Sequence, residues 1–245
     1  MPRPLPGISV IIPAHNEQAT VARTLRAILS QRYPRFEVLL LADDCTDNTV
    51  PIAHALAKKD RHLRVLPNPA RLGLAGSLNR GISLARYPLV CTLHADCVPR
   101  ERTWLRSLAT AVLADPRAGA STTAQLVPRS VFHKLTLSEK LLTVGSVQGG
   151  AKPRLLPPGQ DVLTVNNKGD LYRKAALKAV GGFGSARFRV AGEDQDLSLR
   201  LRRAGWKLLL APGLLLHLEG SHSRAAAAFF KKQLQYSEAR GAMKR

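Results

Sequence analysis

Residues 8–17 read I-S-V-I-I-P-A-H-N-E. The apolar run at 8–12 is unbroken, as expected of a strand buried on both faces, and Pro13 to Glu17 form a polar turn after it. Val21, Leu25, Ile28 and Leu29 then recur at helical spacing and predict a helix over 17–30. The alternation repeats outward from this unit. Residues 36–41 predict a second buried strand and 46–58 a helix, with Thr46 or Asp47 as its cap. Strands over 63–66 and 89–93 flank a helix over 74–85, and a helix over 100–114 stops at Asp115-Pro116. Roughly the first 115 residues thus predict an α/β fold, Rossmann-like, with a mainly parallel sheet flanked by helices.

Beyond that point the pattern loosens. Strands are expected over 120–127, 164–172 and 206–210, and helices over 130–144, 174–180 and 193–203. Residues 148–161 carry Gly149, Gly150, Pro153, Pro157, Pro158 and Gly159 and read as a loop. The division expected is one catalytic domain over 1–220 and a basic helical tail over 221–245.

The 245 residues are 45% hydrophobic and 22% charged, enough apolar material for a sizeable core. Thirty-seven Lys and Arg against 17 Asp and Glu give a net charge of +20, which points to an anionic partner. Aromatic residues are only 5%, too few for base-stacking platforms, so nucleic acid is not the expected partner. Cys45, Cys91 and Cys97 form no C-x-x-C pair, which disfavours a zinc finger or disulfide framework and fits a reducing cytoplasm. The chain enters its first strand directly, so no signal peptide is expected, and the apolar stretch 208–218 is too short to span a bilayer.

The first β-α turn lacks G-x-G-x-x-G, and the chain has no G-K-[ST] loop, G-x-S-x-G or H-E-x-x-H. What the strand ends carry instead is acid. The second ends in Asp43-Asp44-Cys45-Thr46-Asp47, where two adjacent carboxylates exceed the needs of one helix cap and can accept from a base or a ribose hydroxyl. The fourth ends in Leu93-His94-Ala95-Asp96-Cys97, whose imidazole and carboxylate lie one residue apart and can ligate a divalent cation.

Together these segments resemble the family-2 glycosyltransferases of the GT-A fold. The resemblance runs from Ile8 to about His217. Residues 43–49, D-D-C-T-D-N-T, are similar to that family's D-D-x-S-x-D-x-T segment, and 93–96 stand where it carries D-x-D. Gly73, Asn79 and Gly81 resemble its third β-α region. Gly181-Gly182-Phe183, then Gly192-Glu193-Asp194-Gln195-Asp196-Leu197, then Ala204-Gly205-Trp206 follow in the family's order.

The resemblance implies a nucleotide-sugar donor, contacted by Pro13, Ala14, His15, Glu17, Asp43, Asp44, Arg71, Asn79, Ala95 and Asp96. It implies a divalent cation, Mn²⁺ or Mg²⁺, at Asp96, with His94 and His217 as further ligands. Asp194 becomes the general base for an inverting transfer to an acceptor hydroxyl on a glycan or a lipid-linked molecule. Glu193 and Asp196 become supporting or capping groups beside Asp194, with Asp196 the better candidate for acceptor contact, and Asn166 and Asn167 become acceptor or donor-sugar contacts. For Arg71 a solvated surface arginine, for Asn166 and Asn167 ordinary strand-edge amides, and for His217 a buried strand histidine remain as alternatives.

His94 is the main departure, since the family usually has Asp there. Either Asp96 holds the metal alone with the diphosphate, which is the preferred reading, or Mn²⁺ is favoured over Mg²⁺, or the metal is dispensable; His94 is also the one feature favouring a catalytically silent nucleotide-sugar-binding module. Residues 221–245 carry Arg224, Lys231, Lys232, Arg240, Lys244 and Arg245 against Glu238 alone, with Phe229 and Phe230 among them. This suits a helix lying on an anionic membrane surface, which would put a cytoplasmic protein on the inner face of the membrane.

Overall fold

The computed structural model describes residues 4–133, 158–184 and 192–218. Eight strands form one sheet in the order β3-β2-β1-β4-β7-β6-β8-β5. They are β1 (Ile8–Ala14), β2 (Phe36–Ala42), β3 (Leu63–Pro67), β4 (Leu89–Leu93), β5 (Cys97–Pro99), β6 (Ala118–Leu126), β7 (Gly169–Arg173) and β8 (Lys207–His217). The helices are α1 (Val21–Leu29), α2 (Thr49–Ala57), α3 (Gly73–Leu84), α4 (Trp104–Ala114), α5 (Arg129–Phe132), α6 (Lys174–Ala179) and α7 (Glu193–Arg203).

The pleat of β1 sorts its side chains between two cores. Ile8, Val10 and Ile12 pack with α1, α2 and α4, while Ile11 packs with α3, α6 and α7 on the opposite face. All four are fully buried, and each contributes on the order of 1.5–3 kcal/mol. Ser9, the polar residue between them, is equally buried, and its hydroxyl donates to Glu37 Oε1 at 2.8 Å. Glu37 in turn pairs with Arg64 and Arg86. Gly81 lets α3 close onto this strand, because a Cβ there would lie 2.4 Å from Ile11 Cγ2.

The expected parallel sheet holds for β3-β2-β1-β4. Beyond β4 the sheet is mixed: β7 runs antiparallel to β4 and β6, β8 parallel to β6, and β5 antiparallel to β8.

Several boundaries differ from expectation, among them helices expected from 17 and 46 that begin at Val21 and Thr49. The strand expected over 164–172 begins only at Gly169, because Asn167 is left-handed (φ 61°) and a turn precedes it. The strand expected over 206–210 runs on to His217 through Pro212 and Gly213. Its register against β6 shifts between Thr122 and Ala124, and this irregularity admits a proline that no ladder hydrogen bond needs. The helix expected over 100–114 starts at Trp104, since Arg100 N is spent on Leu214 O. Of the helix expected over 130–144, Arg129–Phe132 is seen as α5 and residues 134–144 lie outside the described residues. So does the whole tail, 221–245.

Candidate active site

The carboxyl ends of β1, β2 and β4 open into a cavity of about 200 Å³. It is lined by Pro13, Ala14, His15, Glu17, Asp43, Gly73, Leu74, Ser77, His94, Ala95 and Asp96. Ligands of open α/β sheets bind at this end of the strands. Seven of the ten expected donor-site residues therefore converge, Pro13, Ala14, His15, Glu17, Asp43, Ala95 and Asp96, together with His94, expected as a metal ligand. Asp44, Arg71 and Asn79 are not among its lining.

Asp43 organises the wall. Its carboxylate accepts from Asn68 Nδ2 and Leu72 N, both at 2.7 Å, and from Gly73 N at 2.9 Å. The loop between β3 and α3 is thus strung from one buried acid, and Asn68 passes the link on to Ser77 Oγ at 2.7 Å. His15 Nδ1 lies 2.7 Å from the Asp43 carbonyl oxygen and ties the first turn to the second. The cap expected at Thr46 or Asp47 falls on Asn48 instead, which makes no side-chain cap bond; Asp47, one residue earlier, accepts Thr49 N at 2.9 Å and Gln18 N at 3.0 Å.

Asp44 and Arg71 are exposed, and Asp44 takes a left-handed φ of 59°. Asn79 has a different task from the donor contact expected of it. Its Nδ2 donates to Phe183 O at 2.8 Å and its Oδ1 accepts Phe183 N at 2.9 Å. That double bond spends the amide on the Gly181-Gly182-Phe183 turn. Gly182 (φ 72°) must stay a glycine there, as a Cβ would meet Asn79 Oδ1 at 2.7 Å.

Asp96 forms the floor, 3% exposed. The β5–β8 ladder sets Cys97 opposite His217, and His217 Nε2 lies 2.7 Å from Asp96 Oδ2. Burial pushes the Asp96 carboxyl upward. The hydrogen bond and charge of His217, with His94 and Lys168 behind it, outweigh burial and hold it well below the usual carboxylate range. Among the described residues, the group with metal-ligand spacing is Asp96, Cys97 and His217, whose ligand atoms lie within 4.8 Å of one another. Burial and the neighbouring Asp96 charge push the Cys97 thiol well up, so it stays protonated.

A second acidic group begins α7. Gly192 (φ 99°) turns the chain into the helix, and Glu193, Asp194 and Asp196 occupy its first turn, where the helix dipole favours negative charge. Burial raises the Asp194 carboxyl, although Gln195 N donates to its Oδ1 at 2.8 Å. Burial and the Asp194 charge push Glu193 up to about 7.

Asp196, expected on the acceptor side, is tied inward instead. Arg200 bonds its Oδ2 at 2.7 and 2.8 Å and reaches the carbonyls of Val180 and Gly182. Asn166 and Asn167 are likewise internal: Asn166 Oδ1 accepts Gln125 Nε2 at 2.6 Å, and Asn167 Oδ1 accepts the Tyr172 hydroxyl at 2.7 Å.

Sequence reasoning passed over Asn68, Ser77, Lys168 and Asp170. Asn68, a polar residue just past the end of β3, was legible by the same rule that picked out Asp43. Asp170 is fully buried and accepts the backbone N–H of Asn166 and Asn167 at 2.8 and 2.6 Å. Burial pushes its carboxyl up to about 6.

Residues 9–179 match the model of the glycosyl transferase family 2. The chain is 25% identical over 219 residues to the probable glycosyltransferase YdaM of Bacillus subtilis, covering 86% of this chain and 50% of that one. It is 31% identical over 206 residues to the poly-β-1,6-N-acetyl-D-glucosamine synthase of Staphylococcus epidermidis, covering 83% and 46%. The chain therefore spans about half the length of these curated relatives. Among solved structures, the mannosyltransferase PcManGT of Pyrobaculum calidifontis, in complex with GDP-Man and Mn²⁺, superposes with a TM-score of 0.67. Identity there is 23%, over 91% of this chain and 59% of that one, so the likeness speaks to the fold, which is GT-A. The family match covers well over half of the sequence, and the chain belongs to the glycosyl transferase family 2.

Proposed function

We infer that the protein is an inverting glycosyltransferase that moves a sugar from a nucleoside-diphosphate donor to an acceptor hydroxyl. The observation that carries this reading is one arrangement: two strand-end carboxylates, Asp43 and an ionised Asp96, line one cavity with Pro13, Ala14 and His15. The nucleoside lies against Pro13 to His15 and the loop hung from Asp43. The diphosphate lies toward Asp96. Asp194 takes the proton from the acceptor hydroxyl as the oxygen attacks the anomeric carbon, and a carboxyl raised above its ordinary range is the better base. Attack from the side opposite the leaving diphosphate inverts the anomeric centre.

The side chains fit a divalent ion of intermediate softness. Asp96 supplies a carboxylate oxygen and His217 an imidazole nitrogen, a donor pair that suits Mn²⁺ better than Mg²⁺, while Cys97 stays a thiol. When bound, such an ion supplies Lewis-acid neutralisation of the leaving diphosphate. Asp96 and His217 would have to part to receive it, as their atoms now bond each other.

The acceptor is a glycan or a lipid-linked molecule, and residues 221–245 bring the domain to an anionic inner-leaflet surface as a basic tail. Among the described residues no helix is long and apolar enough to cross a membrane. The test is calorimetric titration of UDP and of GDP, with Mn²⁺ and with chelator, into the unmutated protein and Asp96→Ala. The expected result is tighter binding with Mn²⁺, and loss of that gain in Asp96→Ala. Failure of both nucleotides to bind in either condition would contradict the donor site, and equal affinity with ion and chelator would contradict the metal.

A further inference from the structure

Lys168 precedes β7 by one residue and stands opposite His94. The β4–β7 ladder pairs Leu93 with Gly169, and one step beyond it His94 N donates to Lys168 O at 3.1 Å. The turn that delivers the lysine is fixed. Asp170 Oδ2 accepts the N–H of Asn166 and Asn167, Asn167 is left-handed, and Lys168 N donates to Asn166 Oδ1 at 3.1 Å. Asp170 and Asn167 are both fully buried, so the turn is anchored inside the fold. The Lys168 side chain is half-buried, and among the described residues its ammonium makes no hydrogen bond or ion pair. Lys168 is not itself among the cavity's lining, but His94, bonded to its carbonyl, and Asp96 are, so the lysine stands beside the cavity floor.

A half-buried ammonium that makes no direct ion pair among the described residues is a ready contact for an arriving anion. Two features make the floor less anionic than a site that relies on carboxylates alone to hold a cation. Imidazole occupies position 94, and an ammonium is carried at position 168, just before the neighbouring strand. Both groups weaken the pull on a divalent cation and strengthen the pull on phosphate oxygens, for which lysine is a point-charge ligand. Resting on the reading of the cavity as a nucleotide-sugar site, we propose that Lys168 binds the donor's diphosphate, neutralising it alongside a divalent ion and in part in its place.

The proposal makes donor binding partly independent of metal, and the metal-free part dependent on Lys168. UDP and uridine, titrated calorimetrically in chelator into the unmutated protein, Lys168→Ala and Lys168→Arg, read this directly. Lys168→Ala should lose at least roughly tenfold in UDP affinity, the worth of one charge-assisted contact, and nothing for uridine. Lys168→Arg, which keeps the charge, should retain most of the UDP affinity. Unchanged UDP affinity in Lys168→Ala overturns the proposal. So does an equal loss for uridine and UDP, which would mean that the turn had been disturbed rather than a phosphate contact removed. A protein that binds UDP with Lys168 irrelevant refutes the lysine alone, whereas an unmutated protein that binds neither UDP nor GDP refutes the donor site beneath it.

Discussion

Replacing Asp43 with Asn tests whether this acid builds the donor site or only touches the donor. Its carboxylate accepts three N–H groups at 2.7, 2.7 and 2.9 Å, from Asn68, Leu72 and Gly73, while 4% exposed. An asparagine can keep Asn68 and Leu72 on its one oxygen, but its amide nitrogen then faces Gly73 N, donor against donor. One charge-assisted bond is lost and two are weakened from charged to neutral, at about 1.5–3 kcal/mol for a bond to a charged group, so a cost of about 3 kcal/mol is expected. For a chain of this size that lowers the thermal midpoint by roughly 6–12 °C. Differential scanning fluorimetry measures the shift, and UDP titration should show weaker binding in the same protein. A midpoint within a degree or two of the unmutated one, with UDP binding lost, would refute the organising role and make Asp43 a direct base contact only.

Asp194→Asn should cut transfer by ~10²–10⁴-fold while donor affinity holds, since a base acts only as the acceptor is deprotonated; steady-state kinetics with donor titration separates the two. Glu193 is held at about 7 against an ordinary 4.5, so the folded state prefers its protonated form. The stability this gives is complete below about pH 4.5 and is lost as pH rises through about 7, and Glu193→Gln should flatten that fall in thermal midpoint across the same window. Truncation after Gly220 removes six basic residues and one acid, each cation being worth about 1 kcal/mol at most near an anionic leaflet. Co-sedimentation with phosphatidylserine vesicles should fall in the truncated chain while donor hydrolysis persists; equal sedimentation would assign any membrane contact to the rest of the basic surface.

The half of the fold that was legible is the half whose strands are buried on both faces. Ile8, Val10, Ile11 and Ile12 divide between two cores, so the run is apolar throughout and reads as a parallel strand without help from context. β5 is only three residues long, too short for any periodicity, and its partner β8 passes through Pro212 and Gly213, which normally end a strand. Yet that pairing sets His217 on Asp96. A strand histidine or a metal-site histidine was as far as the sequence could take residue 217, because the contact depends on register between strands more than a hundred residues apart.

The strand-end acids were visible for a similar reason. A short polar run after an apolar one marks the end of a buried strand, so Asp43 and Asp96 stand out. What each acid bonds was hidden. Asp43 and Asp196 looked like ligand contacts; Asp43 lines the cavity but also holds Leu72, Gly73 and Asn68, and Asp196 is bonded to Arg200. Lys168 carried no signal, since nothing around it in sequence is periodic and its placement comes from one left-handed asparagine.

The central claim is inverting transfer from a nucleotide sugar at this cavity, with Asp194 as base. Proton NMR of the protein incubated with α-linked UDP- and GDP-sugars, without acceptor, tests it most directly, since slow transfer to water uses the same geometry. The predicted result is release of the β-anomer first, from at least one donor, and its disappearance in Asp194→Asn. First release of the α-anomer, β-release undiminished in Asp194→Asn, or no release from any donor would contradict it.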